Sequence, residues 1–182
     1  KKVDFMRLFL FVQGALLAFA MGATQASAVT VEPDPVTAIA GLTVVGHENP
    51  NGNCPSGVGK CWLLTGTSKQ LTLTAATGYS FQLSSFEYLF TSGGNPELEL
   101  FYNGSATSAI SLTGNNGVTN IWSAGPSPAL TSLVFKDTGN GNVRLGSVDI
   151  TVIPPIPLPA AGLGLIGAVA MLLGFKARRR TA

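Results

Sequence analysis

The sequence predicts an all-β fold, a single antiparallel β-sandwich of about eight strands between an N-terminal signal peptide and a C-terminal transmembrane helix. Three observations lead there. Short apolar runs, several alternating strictly with polar residues, recur between Gly, Asn, Pro and Ser clusters at about the 8 to 12 residue spacing of sandwiches and barrels. No stretch between the two ends sustains a helical period. Finally, 46% of the 182 residues are hydrophobic and 11% charged, against roughly 25% charged in an average soluble domain, and the apolar excess sits at the two ends.

Lys1, Lys2 and Arg7 precede an apolar run from Leu8 to Met21, and Ala26-Ser27-Ala28 follows with the small-x-small pattern that a signal peptidase accepts. Residues 1–28 therefore read as a signal peptide, with Ala26 and Ala28 flanking the cleavage point. The apolar run is short of the roughly 20 residues that span a bilayer comfortably, which favours a leader over an anchor.

Residues 29–153 form the exported domain, long enough for one core. It carries four basic residues (Lys60, Lys69, Lys136, Arg144) against eight acids (Glu32, Asp34, Glu48, Glu87, Glu97, Glu99, Asp137, Asp149), a balance of −4. Without a basic stripe to neutralise phosphates, nucleic acid is not an expected partner. The overall balance of +2 belongs to the ends.

Candidate strands are Val36–Val45, Cys61–Leu64, Gln70–Ala75, Ser80–Phe90, Leu98–Tyr102, Ala109–Leu112, Val118–Trp122, Leu130–Phe135 and Val143–Val152. Alternation is clearest at Gln70-Leu71-Thr72-Leu73-Thr74 and Val148-Asp149-Ile150-Thr151-Val152, the mark of a sheet with one buried and one wet face. Leu130–Phe135 and Val143–Val152, joined by a Gly/Asn-rich segment, read as a closing hairpin.

Cys54 and Cys61 are the only cysteines and share one polar loop of an exported chain, so they are expected to form a disulfide. Closing so small a ring is worth about 2.5 kcal/mol by loop entropy. Their spacing does not suit a zinc site, and no metal or other cofactor is expected.

No catalytic residue is assigned, and the chain reads as no enzyme. His47 beside Glu48 resembles an acid-base pair only in composition, since no nucleophile in a recognisable elbow accompanies it. Glu97 and Glu99 point the same way from one strand, which ordinarily marks the wet side of a sheet rather than a glycosidase pair. Asp137, Asn140 and Asn142 offer oxygens of the kind calcium takes, and equally satisfy a turn. Tyr79, Tyr88, Tyr102, Trp62 and Trp122 can stack on sugars or fill the core.

Residues 154–182 form a tail with three parts in order. The proline motif Ile156-Pro157-Leu158-Pro159-Ala160 holds an extended, grippable conformation. An apolar segment, 160–175, is expected to enter the membrane as a helix of about 24 Å, short of the roughly 30 Å hydrocarbon core. Lys176, Arg178, Arg179 and Arg180 follow as a basic cluster that stays cytoplasmic and leaves the domain outside. Within the helix, Gly162-Leu-Gly164-Leu-Ile-Gly167 imitates a dinucleotide fingerprint but lacks the βαβ context and the distal acid; small residues in a membrane helix account for it.

This ordered tail resembles the PEP-CTERM class of bacterial sorting signals, in its VPLPA-type variant, with Ile156 in place of the usual Val. The resemblance implies processing by an exosortase, a membrane-embedded cysteine transpeptidase that recognises Pro157, Leu158, Pro159 and Ala160 and removes the helix. It also implies a Gram-negative host that makes extracellular polysaccharide. The domain's closing pattern, a strand ending in Phe, a Gly/Asn segment and an alternating strand running into the motif, resembles the jelly-roll domains of such proteins. The expectation is a non-enzymatic envelope or biofilm-matrix protein. It would be anchored in the inner membrane with its domain in the periplasm until processing, then held at the cell surface near secreted polysaccharide. The alternative is a carbohydrate-binding module that reads a glycan through exposed aromatics.

Overall fold

The computed structural model describes residues 25–33, 38–49, 53–55, 59–66, 68–91, 94–114 and 117–156. The charged and apolar segments of the expected signal peptide and the tail beyond Ile156, with the expected helix 160–175, lie outside the described residues. Among the described residues no helix is long and apolar enough to cross a membrane. Residues 25–155 fold as one unit.

Among the described residues it has eleven strands: β1 (Ser27–Val31), β2 (Leu42–Val45), β3 (Glu48–Asn49), β4 (Cys61–Leu64), β5 (Gln70–Ala75), β6 (Ser80–Phe90), β7 (Glu97–Tyr102), β8 (Ile110–Thr113), β9 (Thr119–Ser123), β10 (Ser132–Asp137) and β11 (Val143–Ile153). One sheet runs β3-β4-β11-β6-β9, with β1 also beside β11, and the other runs β2-β5-β10-β7-β8. Every ladder is antiparallel. Four of them nest: β7 with β8, β6 with β9, β5 with β10 and β4 with β11. The result is a two-sheet sandwich with more strands than the sequence had led us to expect.

Side-chain alternation explains the two layers. Leu71 and Leu73 of β5, Leu98 and Leu100 of β7, and Leu133 and Phe135 of β10 are fully buried, while Thr72, Glu99 and Val134 between them face outward. From the other sheet, Trp62, Leu64, Phe81, Leu83, Phe86, Val143, Leu145, Val148 and Ile150 meet them. The expected two-faced pattern of β5 and β11 is therefore what closes the core. Phe135 and Phe86 meet edge to face at 5.2 Å between centroids, tying the two sheets together.

The expected closing hairpin is not present. β10 pairs with β5 and β7 in one sheet, and β11 pairs with β4, β6 and β1 in the other. The Gly/Asn segment between them is a crossover rather than a turn. It packs along residues 94–97, with Thr138 N donating to Glu97 O (2.9 Å) and Asn140 N to Asn95 O (3.0 Å). Gly139 is required there by proximity, because a Cβ would collide with the backbone oxygen of Asn95. Upstream, Leu130 bridges to Phe81 in the first sheet before the chain enters β10 in the second, so the expected strand Leu130–Phe135 spans both layers.

Two strands were missed in the sequence. β3 is only two residues long. β1 falls across the residues assigned to the end of the leader: Ala28 pairs with Thr151, Ser27 pairs with Val152, and Ala26 immediately precedes the strand. Val31 at its other end is buried. The expected first strand, Val36–Val45, is ordered as strand only over Leu42–Val45, and part of its N-terminal half lies outside the described residues.

Candidate functional site

The outer face of the β4-β11-β6-β9 sheet carries a groove, and the cysteine loop builds one side of it. Alternation directs Trp62 and Leu64 of β4 into the core and Cys61 and Leu63 outward. Cys61 is nonetheless wholly buried, because the loop returns over it and joins it to Cys54 through the expected disulfide. Asn49 Nδ2 approaches Cys61 Sγ at 3.9 Å from the neighbouring strand.

The floor is a row set by strand register: Arg144, Leu89 and Thr119 stand opposite one another across β11, β6 and β9. Arg144 Nη1 donates to the carbonyl of Asn53 at 2.7 Å, fastening the disulfide loop to the sheet. At the end of the sheet the main-chain oxygen of Asn142 accepts from both the amide (3.1 Å) and the hydroxyl (2.9 Å) of Thr91. Its side-chain oxygen accepts from Thr65 Oγ1 at 2.8 Å. Together these groups bound a groove of about 600 Å³, inside the range typical of small-molecule sites. Its lining is hydroxyls, amides, one guanidinium and the apolar side chain of Leu89, with no carboxylate among the lining residues.

Further along the same face Asp149 joins three strands. Its two oxygens accept from Thr30 Oγ1 of β1 and Ser85 Oγ of β6, each at 2.6 Å.

The other residues singled out in the sequence are scattered. His47 and Glu48 are both exposed; His47 borders a smaller depression of about 340 Å³ with Val45, Lys69 and Gln70 on the opposite sheet. Glu97 and Glu99 leave β7 on its outer side, and Glu97 Oε1 accepts from Ser111 Oγ at 2.8 Å. Asp137 is fully buried, and its Oδ1 accepts from the amides of Glu97 (3.1 Å) and Gly139 (3.0 Å). Burial raises its pKa above the ordinary 3.8, partly offset by backbone hydrogen bonds and reinforced by the charge of Glu97. Of the oxygens considered for calcium, Asp137 Oδ1 and Asn142 Oδ1 accept hydrogen bonds within the protein. Among the described residues no three of His, Cys, Asp and Glu gather at one point.

The five Tyr and Trp rings do not assemble a platform. Trp62 is in the core. Trp122 stacks on buried Phe86 at 5.1 Å and 19°, and Tyr88 tilts against Phe86 and meets Phe90 edge-on. Tyr79 and Tyr102 pack against the core as well, and burial raises the phenol pKa of Tyr88 and Tyr102. The outward-facing aromatic is one the sequence reading passed over: Phe101 on β7, half-buried, with Lys136 Nζ 6.0 Å from its ring centre. The alternation Leu98-Glu99-Leu100-Phe101 was the available signal.

Of the expected sorting motif, Ile156 alone is described, 90% exposed; Pro157, Leu158, Pro159, Ala160 and the basic residues Lys176, Arg178, Arg179 and Arg180 lie outside the described residues.

No protein-family model matches the chain, and no curated protein does either. Among solved structures, a family two carbohydrate esterase from Cellvibrio japonicus is similar at 12% identity and a TM-score of 0.42, over 74% of this chain and 37% of that one. The CBM22-1-GH10 modules of a Clostridium thermocellum xylanase complexed with xylohexaose match at 15% identity and a TM-score of 0.38, over 65% of this chain and 27% of that one. The catalytic unit of an alpha-1,3-glucanase from Streptomyces thermodiastaticus matches at 14% identity and a TM-score of 0.38, over 71% of this chain and 26% of that one. The chain thus spans well under half the length of each of them.

Proposed function

We propose that this protein is a non-enzymatic component of the bacterial envelope or extracellular matrix, exported through its signal peptide, processed by an exosortase and retained beside secreted polysaccharide. The observation that carries the reading is the junction between domain and tail. β11 ends at Ile153, Pro154 and Pro155 follow, and Ile156, the first residue of the proline motif, stands 90% exposed just outside the folded unit. The sandwich ends before Ile156, so access to that residue does not require unfolding the domain. The four nested ladders support the jelly-roll-like form of the sandwich, and a disulfide suits the oxidising compartment that export would reach.

Removing residues 154–182 tests the proposal. In a host with the processing enzyme, the truncated protein should stay in the periplasm while the full chain reaches the cell surface. Identical location and identical mature size of the two forms would refute it.

The alternative, recognition of a glycan through Tyr and Trp faces, loses support because those rings pack on the core. Glycan recognition itself keeps a specific support, the polar groove beneath the disulfide loop.

A further inference from the structure

We propose that the outer face of the β2-β5-β10-β7-β8 sheet binds a run of neutral sugar residues in a secreted polysaccharide, laid along Val45, Thr72, Val134 and Phe101. This rests on the polysaccharide association proposed above and names its surface and ligand class.

Strand register builds the strip. Val45 of β2 opposes Thr72 of β5, Thr72 opposes Val134 of β10, and Val134 opposes Phe101 of β7. Alternation turns all four away from the core, whose side chains are their neighbours Leu71, Leu73, Leu133, Phe135 and Leu100. Three strand spacings give the strip a length of about 14 Å, more than a single pyranose ring covers. At one end Val45, 63% exposed, borders the small depression together with Thr72, Gln70 and Lys69. At the other end is the ring of Phe101. Lys136 Nζ stands 6.0 Å from its centre, the outer limit of a cation–π contact, on a flexible stem that can swing aside.

Polar side chains flank the strip on both sides, Gln70, Lys136 and Glu99 in one register row and Thr43, Thr74 and Ser132 in the other. A chain of pyranoses has the matching pattern, apolar ring faces between rims of hydroxyls, and an aromatic face packs well on such a ring. Charge decides which sugars. Lys69 and Lys136 offset Glu97 and Glu99, so the face offers no net charge, and the domain's balance of −4 repels a polyanion. A protein partner fits less well, because a threonine interrupts the apolar row and stable interfaces bury about 1,200 Å² or more around an apolar centre.

The test separates the polysaccharide secreted by the producing cells into neutral and acidic fractions by anion exchange, immobilises each, and passes the full chain over both in mild detergent. The neutral fraction should bind the protein, and raised salt should leave that binding unchanged. Phe101→Ala and Thr72→Glu should each weaken it about tenfold, with circular dichroism melts confirming that both variants fold. Phe101→Trp, which keeps a ring, should retain it. Binding to the acidic fraction alone overturns the assignment, as does binding that survives both substitutions. So does loss of binding in Thr119→Glu with Phe101→Ala unaffected, which would put the glycan in the groove of the other sheet. These three results leave the polysaccharide association standing, whereas no binding to either fraction removes both. Processing and surface location of the Phe101→Ala protein, measured in cells, report on the sorting proposal independently, because processing of the tail does not need this face.

Discussion

Replacing Cys54 and Cys61 together by alanine probes the element on which both the domain and its groove depend. The bridge closes a ring between residues seven apart, for which loop entropy gives about 2.5 kcal/mol. Cys61 is wholly buried and Cys54 nearly so, and trimming two sulfurs from packed positions adds a smaller packing loss, for a total of about 3 kcal/mol. At about 3 °C per kcal/mol for a unit of this size, the melting temperature should fall by about 9 °C. Circular dichroism melts of the native chain, the native chain with reductant and the double variant measure it. The reduced chain keeps both sulfurs and should melt slightly above the double variant, and both should keep the β signature, because neither sulfur belongs to the inter-sheet core. A drop under about 2 °C would refute the reasoning, as the loop would then be held by other contacts and the entropic account would fail. Loss of the β signature would refute it in the opposite direction, showing that the sandwich cannot form without the bridge.

Three further outcomes follow from the packing. Phe135→Ala removes a fully buried ring that touches Phe86 across the sheets and should cost about 3 to 5 kcal/mol in urea unfolding. Gly94→Ala should destabilise by at least about 1 kcal/mol, since Gly94 has φ +81° and an added Cβ would run into the Asn140 carbonyl; an unchanged midpoint would count against the packed crossover. Asp137, with its pKa raised by burial above 3.8, favours the protonated form when folded. Its contribution is therefore greatest below pH 3.8 and is lost as pH rises through the higher folded value. Asp137→Asn keeps the oxygen that accepts from Glu97 and Gly139 and should flatten that part of the stability profile. A variant with the native slope would exclude Asp137 as its source.

Much of the sandwich was legible because its strands obey the simplest rule in β structure. β4, β5 and β6 fall on the boundaries the sequence suggested, since in β5 and much of β6 every second residue is apolar and turn residues flank each run. What alternation cannot report is partnership. β10 and β11 looked like a hairpin because they are adjacent in sequence and joined by Gly and Asn, yet those residues serve the close approach of two backbones, Gly139 against Asn95. β1 was hidden for a different reason: Ser27 and Ala28 fit a small-residue cleavage pattern, and the short run they open lacks the alternation of long side chains that marks the other strands, so its pairing with Thr151 and Val152 shows only in the structure.

The site was legible only in part. The disulfide followed from two cysteines seven residues apart in one polar loop of a chain expected to be exported. The groove did not, because Arg144, Leu89 and Thr119 are far apart in the chain and become neighbours through the registers of β11, β6 and β9. The aromatic residues misled in the other direction. Trp122 and Tyr88 carry polar tips that suggest a sugar platform, but their strand positions place them over Phe86. Phe101, with no polar tip, faces outward.

The mass of the mature protein, isolated from the surface of cells that carry the processing enzyme, tests the central proposal most directly. The account predicts a chain that has lost both its leader and the apolar segment 160–175, with its new C-terminus at the proline motif. A mature chain whose mass includes that segment and Arg178 to Arg180 would contradict it.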